Sequence, residues 1–130
     1  MENLTLSIVT PYGSIYNGEV KYVIMPGSEG EFGVFPGHCN LLSLLKVGVI
    51  EFESNDGMKE LVAINWGYAE VSSSDVKIIA DGAVAIGGNA ESEIAQALDN
   101  ARNLLTEATT DTALIGAVVS RIENAAKSRI

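Results

Sequence analysis

The apolar residues of this chain keep a period of two from residue 4 to about residue 86 and steps of three and four beyond residue 89, so strands must come first and helices last. Leu4, Leu6 and Ile8 alternate with Thr5 and Ser7. Val20, Tyr22 and Ile24 alternate with Lys21, Val23 and Met25. Pro11-Tyr12-Gly13, Asn17-Gly18, Asn55-Asp56-Gly57, Ser72-Ser73-Ser74-Asp75 and Asp81-Gly82 read as the turns between short strands. Asn55-Asp56-Gly57 is the clearest hairpin signal, joining residues 47–54 to 58–65. Short strands at this spacing predict a sandwich or flattened barrel filled by Ile50, Phe52, Val62, Ile64, Val71 and Ile79.

Gly87-Gly88-Asn89 breaks the pattern. Past it there is no proline, and Ile94, Leu98, Ala101, Leu105 and Ala108 define one face of a helix. Thr109-Thr110-Asp111-Thr112 supplies turn and N-cap chemistry, and a second helix runs through Ile115, Val118 or Val119, Ile122 and Ala126. So short a connection predicts an antiparallel αα-hairpin. Its stripe is narrow and rich in alanine, which predicts loose docking on the sandwich. The expected class is α+β, with a β-sandwich domain at 1–87 and a helical hairpin at 88–130. The first part carries 11 acidic and 4 basic side chains and the second 6 and 4, so most of the acidity belongs to the sandwich.

At 130 residues and 47% hydrophobic content the chain can fill a real core. A net charge of −9 opposes attraction to nucleic acid phosphates and anionic lipid, which leaves proteins as the expected partners. Cys39 is the single cysteine, so an internal disulfide is excluded and a reducing compartment fits. Met1-Glu2-Asn3-Leu4 does not read as a leader, and no run approaches the ~20 apolar residues of a spanning helix.

The chemistry concentrates in Gly27-Ser28-Glu29-Gly30-Glu31-Phe32-Gly33-Val34-Phe35-Pro36-Gly37-His38. A phosphate-binding loop ends in Gly-Lys-Ser/Thr, and here Glu29 and Glu31 would repel phosphate. The stretch reads as a wide turn, its glycines giving positive φ, its carboxylates solvated, and Glu29, Glu31 and Phe32 exposed as a protein-contact tip. His38 next to Cys39 invites general-base or nucleophilic chemistry, with Glu31 as a partner. Neighbours on an extended strand point to opposite faces, however, and one imidazole is a poor start for a metal site. A structural or surface histidine and a buried small cysteine are the simpler assignment. Trp66-Gly67-Tyr68 at a strand start reads as core or subunit interface. With no G-x-S-x-G elbow either, no active site assembles and no cofactor is expected. A free-standing sandwich that binds a peptide or glycan and carries a helical tail is the alternative.

Taken with Leu41-Leu42, Lys46-Val47-Gly48-Val49-Ile50, Trp66-Gly67-Tyr68-Ala69-Glu70-Val71 and Ile78-Ile79-Ala80-Asp81, that glycine-rich stretch resembles the ε subunit family of F-type ATP synthases over roughly residues 1–85. The helical hairpin resembles the family in kind. Cys39-Asn40 stands where Ala-Pro is common in the family, and Trp66 where a small residue is usual.

The resemblance implies a ten-stranded antiparallel sandwich in the central stalk, bound to the γ subunit and resting on the c-ring. Ser28, Glu29, Gly30 and Glu31 would face the c-ring, with His38 and Leu42 on the same lower surface. The function implied is that of a non-catalytic rotor part, transmitting rotation between proton flow and catalytic sites on other chains. The place implied is the cytoplasmic face of the bacterial inner membrane, held peripherally. The hairpin of such proteins extends towards the α and β subunits and restrains ATP hydrolysis. Arg121, Lys127 and Arg129 are the cations available here for inhibitory contacts, which implies a modest restraint. Leu98-Asp99-Asn100-Ala101-Arg102 is similar to the Leu/Ile-Asp-x-x-Arg-Ala element with which some members bind ATP. Asn103 replaces the alanine, and the element sits about two turns later in the helix. Asp99 and Arg102 are thus the candidates for ATP as a regulatory ligand.

Overall fold

The computed structural model describes residues 4–37, 40–86 and 91–127. Nine strands and two helices lie among them: β1 (Leu4–Thr10), β2 (Gly13–Gly27), β3 (Gly30–Val34), β4 (Leu41–Leu45), β5 (Gly48–Ser54), β6 (Lys59–Ile64), β7 (Gly67–Val71), β8 (Asp75–Ala80), β9 (Ala83–Ile86), α1 (Glu91–Ala108) and α2 (Thr112–Lys127). The strands pair in the order β1-β8-β7-β4-β2-β5-β6-β9, β3 adds to β2, and β1 also pairs with β2. The strip therefore closes on itself along one side, a sandwich with a barrel-like edge.

The expected class holds, with two differences in detail. Nine strands stand among the described residues where ten were expected, and β1 runs parallel to β8, from Thr5 opposite Asp75 to Val9 opposite Ile79. No hairpin joins β1 to β8, so no tight turn dictates that they run antiparallel. Asn17-Gly18 is not a turn. Both residues sit inside the β1–β2 ladder, opposite Ser7 and Leu6, so β2 runs unbroken for 15 residues. The Asn55-Asp56-Gly57 hairpin joins β5 to β6 as expected, with Gly57 at φ +88.

One residue sets the facing of β2. Val20 pairs with Ser54 and Tyr22 with Glu53, so Lys21 is extra to the β5 ladder, a bulge. Val20 then faces inward on one side of the bulge, and Val23 and Met25 on the other. The single alternation expected across residues 20–25 changes parity there, and Lys21 turns outward to an ion pair with Glu53 at 3.2 Å.

The main core draws on β1 through β8 and includes Leu4, Leu6, Ile8, Ile50, Phe52, Val62, Ile64 and Val71. On β8 the inward residues are Val76, Ile78 and Ala80, whereas Ile79, an expected core residue, faces outward and is half-buried. Sequence alone leaves the parity of Ile78-Ile79 open. Pairing with β7, which sets Ala69 opposite Ile78 and Tyr68 opposite Ile79, decides it.

β5 and β6 are apolar on both faces. Ile50, Val62 and Ile64 enter the main core, while Val49, Leu61 and Ala63 belong to a second cluster with Ile86, Ala101 and Ile122. The helical hairpin supplies that second cover. Leu105 and Val119 extend the seam over Val47. Of the expected stripe, Ala101 and Leu105 are buried and Leu98 packs against the seam, while Ala108 is exposed. On α2, Val119 and Ile122 are buried and Ile115 and Val118 half-buried. The side chains of Ile94 and Ala126 lie outside the described residues. Asp111 caps α2 as expected, its Oδ1 accepting from the backbone N–H of Ala113 and Leu114, each at 3.1 Å.

Candidate docking surfaces

The acidic turn is tighter than the sequence suggested. Gly27 and Gly30 pair directly, leaving Ser28-Glu29 as a two-residue hairpin loop between β2 and β3. Gly30 has φ +132, a region that side chains other than glycine's rarely enter. Gly27 instead is demanded by space, because a Cβ there would lie 2.7 Å from the Gly30 carbonyl oxygen. Ser28, Glu29 and Gly30 are exposed, but Phe32, expected at the exposed tip, is half-buried because its ring packs against the main core. The Ser28 N–H donates to the Leu44 carbonyl at 2.9 Å. That bond ties the turn to β4. Leu42 lies two residues further along, on the same face as Leu44. His38 lies outside the described residues, as does Cys39.

Glu31 has a different environment from Glu29. Its carboxylate accepts from Arg121 Nη1 at 2.5 Å, and Arg121 Nη2 reaches Glu51 on β5 at 3.5 Å. Burial works against the Arg121 charge, but the Glu31 hydrogen bond and the charges of Glu31 and Glu51 outweigh it and hold the guanidinium pKa above its usual value. Two residues expected to face different partners, Glu31 and Arg121, therefore face each other. Glu51 took no part in the sequence reading. Its signal is the pattern Ile50-Glu51-Phe52, a carboxylate on the reverse face of a core strand, and only the docked helix gives it meaning.

A second surface lies on the outer face of β4, β7, β8 and β1. Leu44 pairs with Tyr68, Tyr68 with Ile79, and Ile79 with Val9, so four apolar side chains form one row across four strands. Leu44 is 66% exposed, Leu42 on the next row 70%, and Trp66 at the end of β7 57%. The neighbouring row is polar beyond Leu42, running through Glu70, Lys77 and Ser7. Asn65 fixes the backbone beside Trp66, its Oδ1 accepting from the N–H groups of Trp66 and Gly82, both at 2.8 Å. Trp66 and Tyr68 are thus surface residues, which rules out the core for both. Leu41-Leu42-Ser43-Leu44-Leu45 carried the signal, since a strand apolar on both faces asks for cover on each side.

The remaining candidates are on the hairpin. Arg102 of α1 bonds Glu123 of α2 at 3.4 Å, joining the two helices, and Asp99 is exposed one turn earlier. The side chain of Lys127 and all of Arg129 lie outside the described residues. No group of three His, Cys, Asp or Glu able to hold a metal occurs among the described residues. No helix among them is long and apolar enough to cross a membrane.

These features define a β-sandwich that wears a helical hairpin on one face and leaves a strip of apolar side chains open on another. Residues 3–86 match the family described as ATP synthase, Delta/Epsilon chain, beta-sandwich domain. The whole chain is 74% identical to the ATP synthase epsilon chain of Helicobacter hepaticus over 99% of that protein, and 59% identical to that of Wolinella succinogenes, again over 99%. A chain in the Euglena gracilis mitochondrial ATP synthase structure, OSCP/F1/c-ring in rotational state 1, superposes with a TM-score of 0.63 at 25% identity, over 98% of this chain and 81% of that one. A chain of the Tetrahymena thermophila mitochondrial ATP synthase central stalk and c-ring shares the fold alone, at TM-score 0.53 and 14% identity over 82% and 96%. This chain belongs to the ATP synthase epsilon family. The stand-alone binding module is set aside accordingly.

Proposed function

We propose that this chain is a non-catalytic part of the central stalk, coupling c-ring rotation to ATP synthesis by holding the γ subunit with its sandwich. The observation that carries this reading is the outward row of Leu44, Tyr68, Ile79 and Val9, exposed at Leu44 and Tyr68 and half-buried at Ile79 and Val9, flanked by Leu42 and Trp66. Aromatic and apolar side chains standing clear of the core are what a stable protein interface buries. γ is assigned to this row. The turn at Ser28, Glu29 and Gly30, with Glu31, Leu42 and His38, is assigned to the c-ring, where acidic groups on an acidic chain favour a cationic counterpart. The Euglena assembly, in which the similar chain lies within an F1/c-ring complex, supports a place on the rotor. The complex would hold the chain peripherally on the cytoplasmic face of the inner membrane.

Residues 88–130 form a regulatory unit in this reading, separable from the sandwich at 1–87. When extended they would present Arg121, Lys127 and Arg129 to the α and β subunits and restrain hydrolysis modestly. ATP, as a regulatory ligand, would engage Asp99 and Arg102 only after Arg102 exchanges Glu123 for phosphate. Calorimetry of the chain with ATP tests this last point, since an isotherm that survives Arg102→Ala would sink it. The main reading is tested by co-purification. The chain should bind γ stoichiometrically, with or without residues 88–130, and a monodisperse chain with no affinity for γ overturns it.

A further inference from the structure

The acidic turn and the helical hairpin share one carboxylate. Glu31 lies one residue past Gly30, at the start of β3, and its Oε2 is taken by Arg121 of α2 across 90 positions of sequence. Glu51 approaches the same guanidinium from β5, so one cation on α2 spans two strands of the sandwich. The Arg102–Glu123 pair lies within the hairpin, and Lys21–Glu53 within the sandwich.

The apolar contacts beside Arg121 are incomplete. A cleft of about 250 Å³ opens between sandwich and α2, walled by Pro26, Val49, Leu114 and Val118, with Glu31 and Arg121 on its border. Val119 and Ile122 are the two buried apolar side chains of α2 among the described residues, so its grip depends on a short seam plus this ion pair. Glu31 and Arg121 retain 48% and 35% side-chain exposure, which leaves both reachable from solvent.

We infer that Arg121 latches α2 to the sandwich through Glu31, and that a cationic group of a partner at the Ser28-Glu29 turn competes for Glu31 and loosens the hairpin. The sharing rests on the proposed rotor contact; the latch does not. Glu31 in the grip of Arg121 has less charge to offer a partner, and Glu31 engaged by a partner leaves Arg121 with Glu51 alone. By linkage, whatever frees Glu31 must strengthen partner binding, and partner binding must weaken docking by the same factor. The acidic chain, with net charge −9, makes a basic partner surface the complementary one.

Hydrogen–deuterium exchange on the full chain tests the latch. Arg121→Gln and Glu31→Gln should each speed exchange of the α2 amides between residues 114 and 123 roughly fivefold, as loss of a partly exposed ion pair would. The double variant should exceed neither single by much, with the β1 and β8 amides unchanged as the control for folding. Additive effects, or no effect, overturn the latch. Binding of the full chain to a γ–c-ring subcomplex lacking this subunit tests the sharing. Arg121→Gln should bind roughly fivefold tighter and Glu31→Gln more weakly than the native chain. Equal or weaker binding of Arg121→Gln overturns the sharing. If the native chain fails to bind that subcomplex, the rotor reading falls and the sharing with it, while the exchange result still decides the latch.

Discussion

Leu44 and Tyr68 stand directly opposite each other on the outer face of the β4–β7 pair, with no described element packed over them. Leu44→Glu should leave the fold intact, because the side chain is 66% exposed and its strand keeps Leu45 in the core. Binding to γ should fall by at least about thirtyfold, the loss typical of a central apolar contact replaced by a charge. Surface plasmon resonance with immobilised γ measures this. Unchanged affinity would move the γ interface off this row.

Gly67 marks the other side of the same strand pair, where close packing rather than recognition governs. A Cβ at position 67 would lie 2.3 Å from the Ile79 carbonyl oxygen and 2.9 Å from the Ala80 Cα, both backbone atoms that cannot yield locally. Gly67→Ala is therefore expected to destabilise the sandwich by about 1–3 kcal/mol as β7 and β8 are forced apart. Urea unfolding followed by Trp66 fluorescence reads the loss. A midpoint within error of the native chain's would contradict the packing argument.

The β5–β6 hairpin carries a pH signature. The Asp56 carboxylate accepts from the Ser54 hydroxyl and, at 3.1 Å, from the Met58 N–H, and those bonds, Ser54's foremost, lower its pKa below the ordinary carboxylate value. A depressed folded pKa means the stabilisation is complete above the unfolded value of about 3.9 and disappears as pH falls through the lower folded value. The Met58 amide resonance should therefore titrate at a pH below the usual aspartate range, and Asp56→Asn should abolish that titration. Titration at or above the usual range would show that the turn does not favour the ionised form.

Much of this was readable from residue order, because local rules carried it. Leu4, Leu6 and Ile8 alternate cleanly with polar neighbours and all three are buried; Asn55-Asp56-Gly57 and Asp111 act through contacts only a few residues away. What escaped depends on which strands meet. Lys21 becomes a bulge only against β5, and Ile78 is chosen over Ile79 only by its pairing with β7. Asn17-Gly18 has turn chemistry but is overruled by the β1 ladder. Glu31 and Arg121 could each be assigned a partner from sequence, yet their mutual contact needs the docked hairpin.

Leu105 offers a test of whether 88–130 is a separable unit. It is fully buried against Val47 of the sandwich and Val119 of α2, in the smallest of the three apolar clusters. Leu105→Ala removes the largest buried side chain of that cluster, at a cost of about 2–5 kcal/mol for a site that cannot collapse. A hairpin with few other buried side chains cannot absorb that loss, whereas the sandwich core of Phe52, Ile50 and Ile64 does not include Leu105. Amides of α1 and α2 should lose protection in hydrogen exchange while those of β1, β7 and β8 keep theirs, and binding to γ should persist. Uniform loss of protection across strands and helices would instead show that sandwich and hairpin fold as one cooperative unit, and the division at residues 87 and 88 would have to be given up.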